Sequence, residues 1–283
     1  MLTGRGQRWL FSAESWRVVD EPVRAREWEV VRLQKDAEAK AFIEAHHYAG
    51  TYTAARERFA LVHSPTLQTM GVAVFDVPAQ PRCLDVLPGE AAERLHFGRL
   101  VLLASVPGNG ESLFIGECFR QLRREGYTGV VSFADPLPRS RLDGGLIHPG
   151  HVGIVYQSTS GRLVGRSRAD CLWLLPDGSA LHRRAMAKVR ALEQGWRYVC
   201  ERLIRFGATP LPPTADEAAA SAWLDLWRAR LCRPVQHPGN FKYVWGLTRA
   251  ATRHLERTTV ALAYPRISTG RAPPKWGRKT EGA

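Results

Sequence analysis

The sequence predicts an α/β fold, and three observations predict it. Phe97 to Leu103 is apolar and strand-like, is broken by Ser105-Val106-Pro107-Gly108-Asn109-Gly110-Glu111-Ser112, and gives way to apolar residues at helical spacing, Phe114, Ile115, Cys118, Phe119 and Leu122. A second apolar strand, Gly129 to Phe133, completes a strand, helix, strand unit, the building block of α/β sheets. Arg58 to His63 and Gln68 to Val77, separated by a Ser-Pro-Thr turn, read as a hairpin.

The other elements follow in chain order. Asp36 to His47 carries Ala39, Phe42, Ile43 and His46 or His47 at helical spacing and closes before Gly50, so it reads as a helix ending in His46-His47-Tyr48. Beyond Tyr156, Arg162 to Leu175 mixes strand-like and polar residues, and Pro176-Asp177-Gly178 makes a turn. His182 to Leu192 is a short helix with five basic residues, His182 included. Ala208 to Ala222, rich in Ala, Pro and Thr, reads as a linker or surface insertion. Trp223 to Leu231 is a short helix and Phe241 to Leu247 a strand. The expectation is a single elaborated domain over residues 1–264, with surface insertions near 137–149 and 207–240, and a basic, flexible tail over 265–283.

At 283 residues, 45% hydrophobic and 24% charged, the chain has enough apolar material for a large core. Forty Lys and Arg against 27 Asp and Glu leave a formal charge of +13, mostly as Arg, which suits a polyanionic partner. An Arg-rich composition also follows from a GC-rich coding genome. Five cysteines at wide spacing, without a Cys-x-x-Cys pair, suggest neither a zinc knuckle nor a disulfide framework and are expected to be reduced. The absence of a signal-type leader, and of any apolar run of about 18 residues or more, leads to the expectation of a cytoplasmic protein with no membrane partner, in the host cytoplasm if phage-encoded.

Candidate chemistry lies at strand ends. Asp135 closes Phe133-Ala134-Asp135-Pro136 at the carboxyl end of a strand, where open α/β sheets place their sites, although an Asp-Pro pair also serves as a simple turn cap. The chain returns in Gly150-His151-Val152-Gly153-Ile154-Val155-Tyr156-Gln157, with His, Tyr and Gln around paired glycines. His46, His47 and Tyr48 suit proton transfer or metal binding, or simply end a helix with His near its C-terminal dipole. The Ser105 to Ser112 turn opens a helix, and Gly108 and Gly110 would let its backbone approach an anion such as a pyrophosphate. Two glycines are also what a tight turn requires.

Taken in order, His46-His47-Tyr48, Phe133-Ala134-Asp135-Pro136, Gly150 to Gln157, Leu163-Val164-Gly165-Arg166, Leu175-Pro176-Asp177-Gly178 with His182-Arg183-Arg184, Lys242-Tyr243-Val244-Trp245 and Ala263-Tyr264-Pro265-Arg266 resemble the Mom family of phage DNA-modification proteins. The resemblance runs from about residue 36 to 266. It implies a GNAT-like mixed central sheet flanked by helices, and a transferase that places a carbamoylmethyl or related small group on the exocyclic amine of adenine in duplex DNA, protecting phage DNA from restriction. The strand, turn and helix after Leu103 would then cradle the donor, with Leu102, Leu103, Gly108, Asn109, Gly110 and Ser112 as its contacts. Ser105 stands where the usual acetyl-coenzyme A signature has Gln or Arg, and Leu137 to Pro149 and Leu211 to Ala222 are insertions relative to the family pattern.

Within that reading Asp135 accepts or orients the amine proton, with His47 or His151 as the alternative base, and Tyr48, Tyr156 or Trp173 offers a stacking face to a flipped adenine. Arg166, Arg183, Arg184 and Lys242 sit on motifs that would follow phosphate. Acetyl-CoA or another small acyl or aminoacyl donor, and iron among His46, His47, Tyr48 and Asp135, stand as open cofactor alternatives. The partners expected are double-stranded DNA and, as an open arrangement, a second copy in a homodimer. Two other classes remain: a GNAT-type N-acyltransferase acting on a small molecule or protein, and a non-catalytic DNA-binding member of the fold.

Overall fold

The computed structural model describes residues 5–10, 13–18, 23–47, 49–148 and 150–265. Tyr48 and the basic tail from Arg266 on lie outside them. The first half of the chain forms β1 (Arg5–Leu10), β2 (Ala13–Val18), β3 (Trp28–Arg32), α1 (Asp36–His46), β4 (Ala55–His63), β5 (Gln68–Asp76), β6 (Arg94–Leu102), α2 (Gly110–Arg124) and β7 (Gly129–Ala134). There follow β8 (Arg139–Ser140), β9 (Leu146–His148), α3 (Ile154–Ser158), β10 (Arg162–Arg166), β11 (Asp170–Leu174), β12 (Ala180–Leu181) and α4 (Arg183–Arg190). The chain closes with α5 (Trp196–Ile204), α6 (Glu217–Leu231), β13 (Arg233–His237), β14 (Phe241–Gly246) and α7 (Arg249–Thr258).

These elements gather into two compact units. The first takes the chain up to Ala134, then Val152–Gly165, then everything from Phe241; the second takes Asp135–His151 and Arg166–Asn240. The expected insertions, 137–149 and 207–240, fall in the second unit together with 166–206.

The first unit is built on a seven-stranded sheet in the order β10-β14-β7-β6-β5-β4-β3. β3 to β6 run antiparallel in succession, β6 and β7 are parallel, and β7 and β14 are antiparallel, so the sheet is mixed. Alternation along each strand divides the apolar residues between two faces. On one face Ala73, Phe75, Phe97, Val130, Tyr243 and Trp245 pack with Phe114, Ile115, Cys118 and Leu122 of α2. On the other, Val72 and Val74 meet Ala39 and Ile43 of α1, and Val131 and Val244 meet Leu255 of α7. Burial on both sides explains why these strands read as continuous apolar runs. This is the mixed central sheet flanked by helices that the resemblance implied.

One irregularity shapes the sheet at its centre. Pairing of β5 with β6 passes from Val74 opposite Arg99 to Phe75 opposite Phe97, which leaves Gly98 as a bulge. A Cβ there would lie 2.2 Å from an Asp76 carboxylate oxygen, so the position admits only glycine. Asp76 is buried and bonded to His96 Nδ1 at 2.7 Å. The parallel ladder between β6 and β7 stops after His96 and Val131, and beyond it Ser132 Oγ donates to Phe97 O at 2.9 Å.

The second unit has a three-stranded sheet, β12-β11-β13, a β8–β9 hairpin, and α4, α5 and α6 around a core that includes Leu181, Val189, Val199, Leu203 and Leu224. The segment read as a linker is partly helical. Asp216 caps α6 by accepting the Ala219 amide at 2.8 Å, and the Ala-rich stretch after it, favourable in a helix, forms the first turns.

Candidate active site

The chain leaves β7 at Ala134, and the next residue, Asp135, is the hub of a polar cluster in the second unit. Its Oδ1 accepts the Leu137 amide at 2.9 Å and a bond from His237 Nε2 at 2.9 Å, while Oδ2 pairs with Arg139 at 2.9 Å. Burial works to raise the carboxyl pKa. The Arg139 charge, the Leu137 amide, His148 and His237 outweigh it and hold the group below the ordinary aspartate value. The turn-cap reading and the site reading are therefore both realised in one side chain.

Two His-Pro-Gly tripeptides build the walls. In each, the amide of the glycine two residues on faces the histidine Nδ1: Gly150 to His148 at 3.1 Å, where the Leu137 carbonyl stands equally near, and Gly239 to His237 at 2.9 Å, where Nδ1 is the acceptor. That bond uses the Nδ1 lone pair and leaves the proton on Nε2, so His237 donates to Asp135 rather than accepting from it. Gly150 has φ +71°, and a Cβ there would come within 2.4 Å of Pro136 O. His151 is held by its own amide on Asp135 O at 2.7 Å, and its ring stands edge-on to His148 at 6.1 Å.

The His148 and His151 imidazoles are neutral at physiological pH. Burial, reinforced by Arg139, pushes His148 and His151 down to about 4, against the pull of Asp135 in the other direction. His182 is lowered as well, by desolvation first and then by Arg139 and Arg202. The cluster thus sets a fixed carboxylate beside uncharged imidazoles that can take a proton.

The other residues singled out in the sequence fall elsewhere. His47 ends α1, where its Nδ1 accepts the Ala49 amide at 3.1 Å. Tyr156 is a buried ring of the first unit, 5.5 Å from both Tyr243 and Trp245. Trp173 belongs to the second unit, with the Arg228 guanidinium 4.4 Å from its ring. Leu102 and Leu103 end β6 and lead into the turn before α2, with Asn109 at φ +65°. The Gly110 amide is donated to Pro107 O and the Ser112 amide to Asn109 O, and Glu111 places an acid in the first helical turn. Those two amides are therefore used within the turn itself. Among the described residues no three His, Cys, Asp or Glu side chains converge to hold a metal, and Tyr48, named with His46, His47 and Asp135 for iron, lies outside those residues.

Of the basic residues, Arg166 and Arg183 are exposed, Arg184 is in a two-pronged pair with Glu193 at 2.6 and 3.2 Å, and Lys242 is partly buried, which lowers its pKa. Arg139, set down as a residue of an inserted loop, proves to be a partner of Asp135; His182 was named only within the His182-Arg183-Arg184 motif, and His148 and His237 were not singled out. The repeated His-Pro-Gly tripeptide was the signal that could have found two of them.

No curated protein matches the chain. Among solved structures it is similar to a tandem GNAT protein from the clavulanic acid biosynthesis pathway, determined without AcCoA. The identity is 8% and the TM-score 0.38, with 78% of this chain and 99% of that chain covered, a level that adds nothing to the argument. Among the described residues no helix is long and apolar enough to cross a membrane. The Mom protein family matches residues 27–211, well over half of the chain, and the span takes in β3 to β7, Asp135, both His148 and His151, and α4 and α5. The chain belongs to the Mom protein family and is a modification transferase.

Proposed function

We propose that the protein modifies the exocyclic amine of adenine in duplex DNA with a carbamoylmethyl or related small group, and that this protects phage DNA from restriction. The observation that carries the reading is the anchored Asp135 carboxylate, set by Arg139 and His237 beside the neutral His151. A base inside a duplex is out of reach, so the adenine must leave the stack to be modified. Its amine is a weak nucleophile because the lone pair is delocalised into the ring, and it turns acidic once that pair forms a new bond. A weak base then suffices to take the proton.

His151 is the candidate for that task, itself a weak base because burial holds it down to about 4, so the step relies on the amine turning acidic. The carboxylate already receives three bonds and is held below its ordinary pKa, which makes it a poor proton acceptor. Its work is to orient the cluster and to stabilise an imidazolium as it forms. The exposed Arg166 and Arg183 belong to the same unit as the cluster and would contact phosphate.

The test is digestion to nucleosides, followed by mass analysis, of plasmid DNA from cells expressing the full chain. A new adenosine-derived mass, absent with Asp135→Asn, is expected. Unmodified DNA alongside a newly modified protein or small molecule would overturn the DNA reading in favour of an N-acyltransferase.

A further inference from the structure

The first unit holds a cavity of about 530 Å³ that none of the foregoing uses. It lies where β14 ends at Gly246, opposite Gly129 at the start of β7, and so at the other end of that strand from Ala134. α2 and α7, which cover opposite faces of the sheet, both contribute to its wall.

Phe119 and Trp245, with ring centroids 5.4 Å apart and tilted by 60°, form an aromatic wall. Three guanidinium groups line the cavity as well. Arg120 is paired with Glu117. Arg162 is held by Thr259, through Oγ1 at 2.8 Å and the carbonyl at 2.7 Å, both neutral acceptors, and has no carboxylate partner among the described residues. The Arg123 carbonyl accepts the Gly126 amide at 3.2 Å, while its guanidinium makes no hydrogen bond or ion pair among the described residues. Glu256 also lines the cavity but forms no ion pair there. Arg123 and Arg162 against the single acid Glu256 leave a surplus of positive charge beside an aromatic wall, which suits an anion that carries a flat ring, because guanidinium N–H groups donate to a phosphate and a ring face stacks on a base.

A second observation points the same way. Gly116 lies inside α2 and lines the cavity, and a Cβ there would meet nothing within 4 Å. A helix-interior glycine is less favourable than alanine, and here no neighbour demands it. A side chain much larger than alanine at this exposed position would reach into the cavity.

We propose that this cavity is a second binding site, for a nucleoside monophosphate, with the phosphate on Arg123 and Arg162 and the base against Phe119 and Trp245. The proposal stands apart from the DNA reading, and its test involves no DNA. Calorimetry with AMP, adenosine and inorganic phosphate on the full chain at low salt should give AMP binding at least about tenfold tighter than either fragment, a difference of about 1.4 kcal/mol. Arg123→Gln, at an exposed residue whose guanidinium has no partner among the described residues, and Gly116→Trp, which fills the open space, should each weaken AMP about tenfold or more. Gly116→Ala should fold more stably and still bind. No AMP binding at millimolar concentration, AMP binding untouched by Arg123→Gln and Gly116→Trp, or inorganic phosphate binding as tightly as AMP would each overturn it.

Discussion

His237 donates from Nε2 to Asp135 Oδ1 at 2.9 Å because its Nδ1 is already occupied by the amide of Gly239. The direction of that bond is therefore set by the backbone, and His237 acts by holding the carboxylate rather than by exchanging protons. A substitution that keeps a donor near Nε2 should be tolerated better than one that removes it. His237→Gln should retain part of the DNA-modifying activity, while His237→Leu should lose about tenfold to a hundredfold, the usual effect of removing an orienting partner. Equal activity of the two variants, both folded by circular dichroism, would show that the bond orients nothing.

Asp135→Asn separates the cap from the site. Asparagine can still accept the Leu137 amide but turns its other side, now neutral, toward Arg139. The expected result is a folded protein with modified adenine reduced by about a hundredfold or more. Wild-type levels of modification would leave Asp135 with the turn alone.

The buried histidines predict how stability responds to acid. His148 and His151 titrate at about 4 in the folded chain and near 6.5 when unfolded, so between those values the unfolded state binds more protons. Stability contributed by the neutral rings is complete above about pH 6.5 and falls as the pH drops toward 4. Asp135, with its lowered folded pKa, adds stability above its unfolded value near 3.9, and that share is lost at more acid pH as the folded carboxylate takes a proton. Urea midpoints measured against pH check this, and a midpoint level down to about pH 5 would contradict it.

The basic residues should not contribute equally to DNA binding. With a formal charge of +13 the chain should bind duplex DNA with a steep loss of affinity as salt rises. Arg183→Ala should lower the slope of log affinity against log salt by about 1, the effect of one lost phosphate contact. Arg184, neutralised by Glu193 at 2.6 Å, should lower it far less. Fluorescence titrations at several salt concentrations make the comparison, and identical slopes for the two variants would show that the ion pair opens on DNA.

Tyr156 should behave as a core ring. It packs 6.2 Å from Phe97 and 5.5 Å from Tyr243 and Trp245. Tyr156→Phe should keep both fold and modification, and Tyr156→Ala should cost about 3–5 kcal/mol of stability by chemical denaturation. Loss of modification in a stable Tyr156→Phe protein would return the hydroxyl to the chemistry.

How much of this was legible depends on whether the signal was local. Strands 58–63 and 68–77, the helix after Gly110 and the strand from Gly129 announce themselves by period and by turn residues, and the structure has them within a few positions. Trp223 to Leu231 was legible as helix, but the first turns of α6 were hidden by the prolines before it, since Pro212 and Pro213 colour the composition while Asp216 is what starts the helix. α5 keeps a clear helical period in Trp196, Val199, Cys200 and Leu203, and was passed over because it starts at Gly195 with no side-chain cap. The second unit escaped because its core joins Leu175 to Leu224, residues that no short window contains. Asp135 was visible at its strand end, but its partner His237 lies far along the chain, and only the fold brings the two together.

The order in which the chain is synthesised gives the β7–β14 pairing a further meaning. β7 is an inner strand, yet its partner on one side, Phe241–Gly246, is made only after the whole second unit. Until then a nascent chain carries Gly129–Ala134 with one row of backbone amides and carbonyls unsatisfied, and with Val130 and Val131 ready to pair with any extended segment nearby. A ribosome stalled before residue 241 would hold an aggregation-prone intermediate, and a chain cut short there should be recovered from inclusion bodies rather than from the soluble fraction.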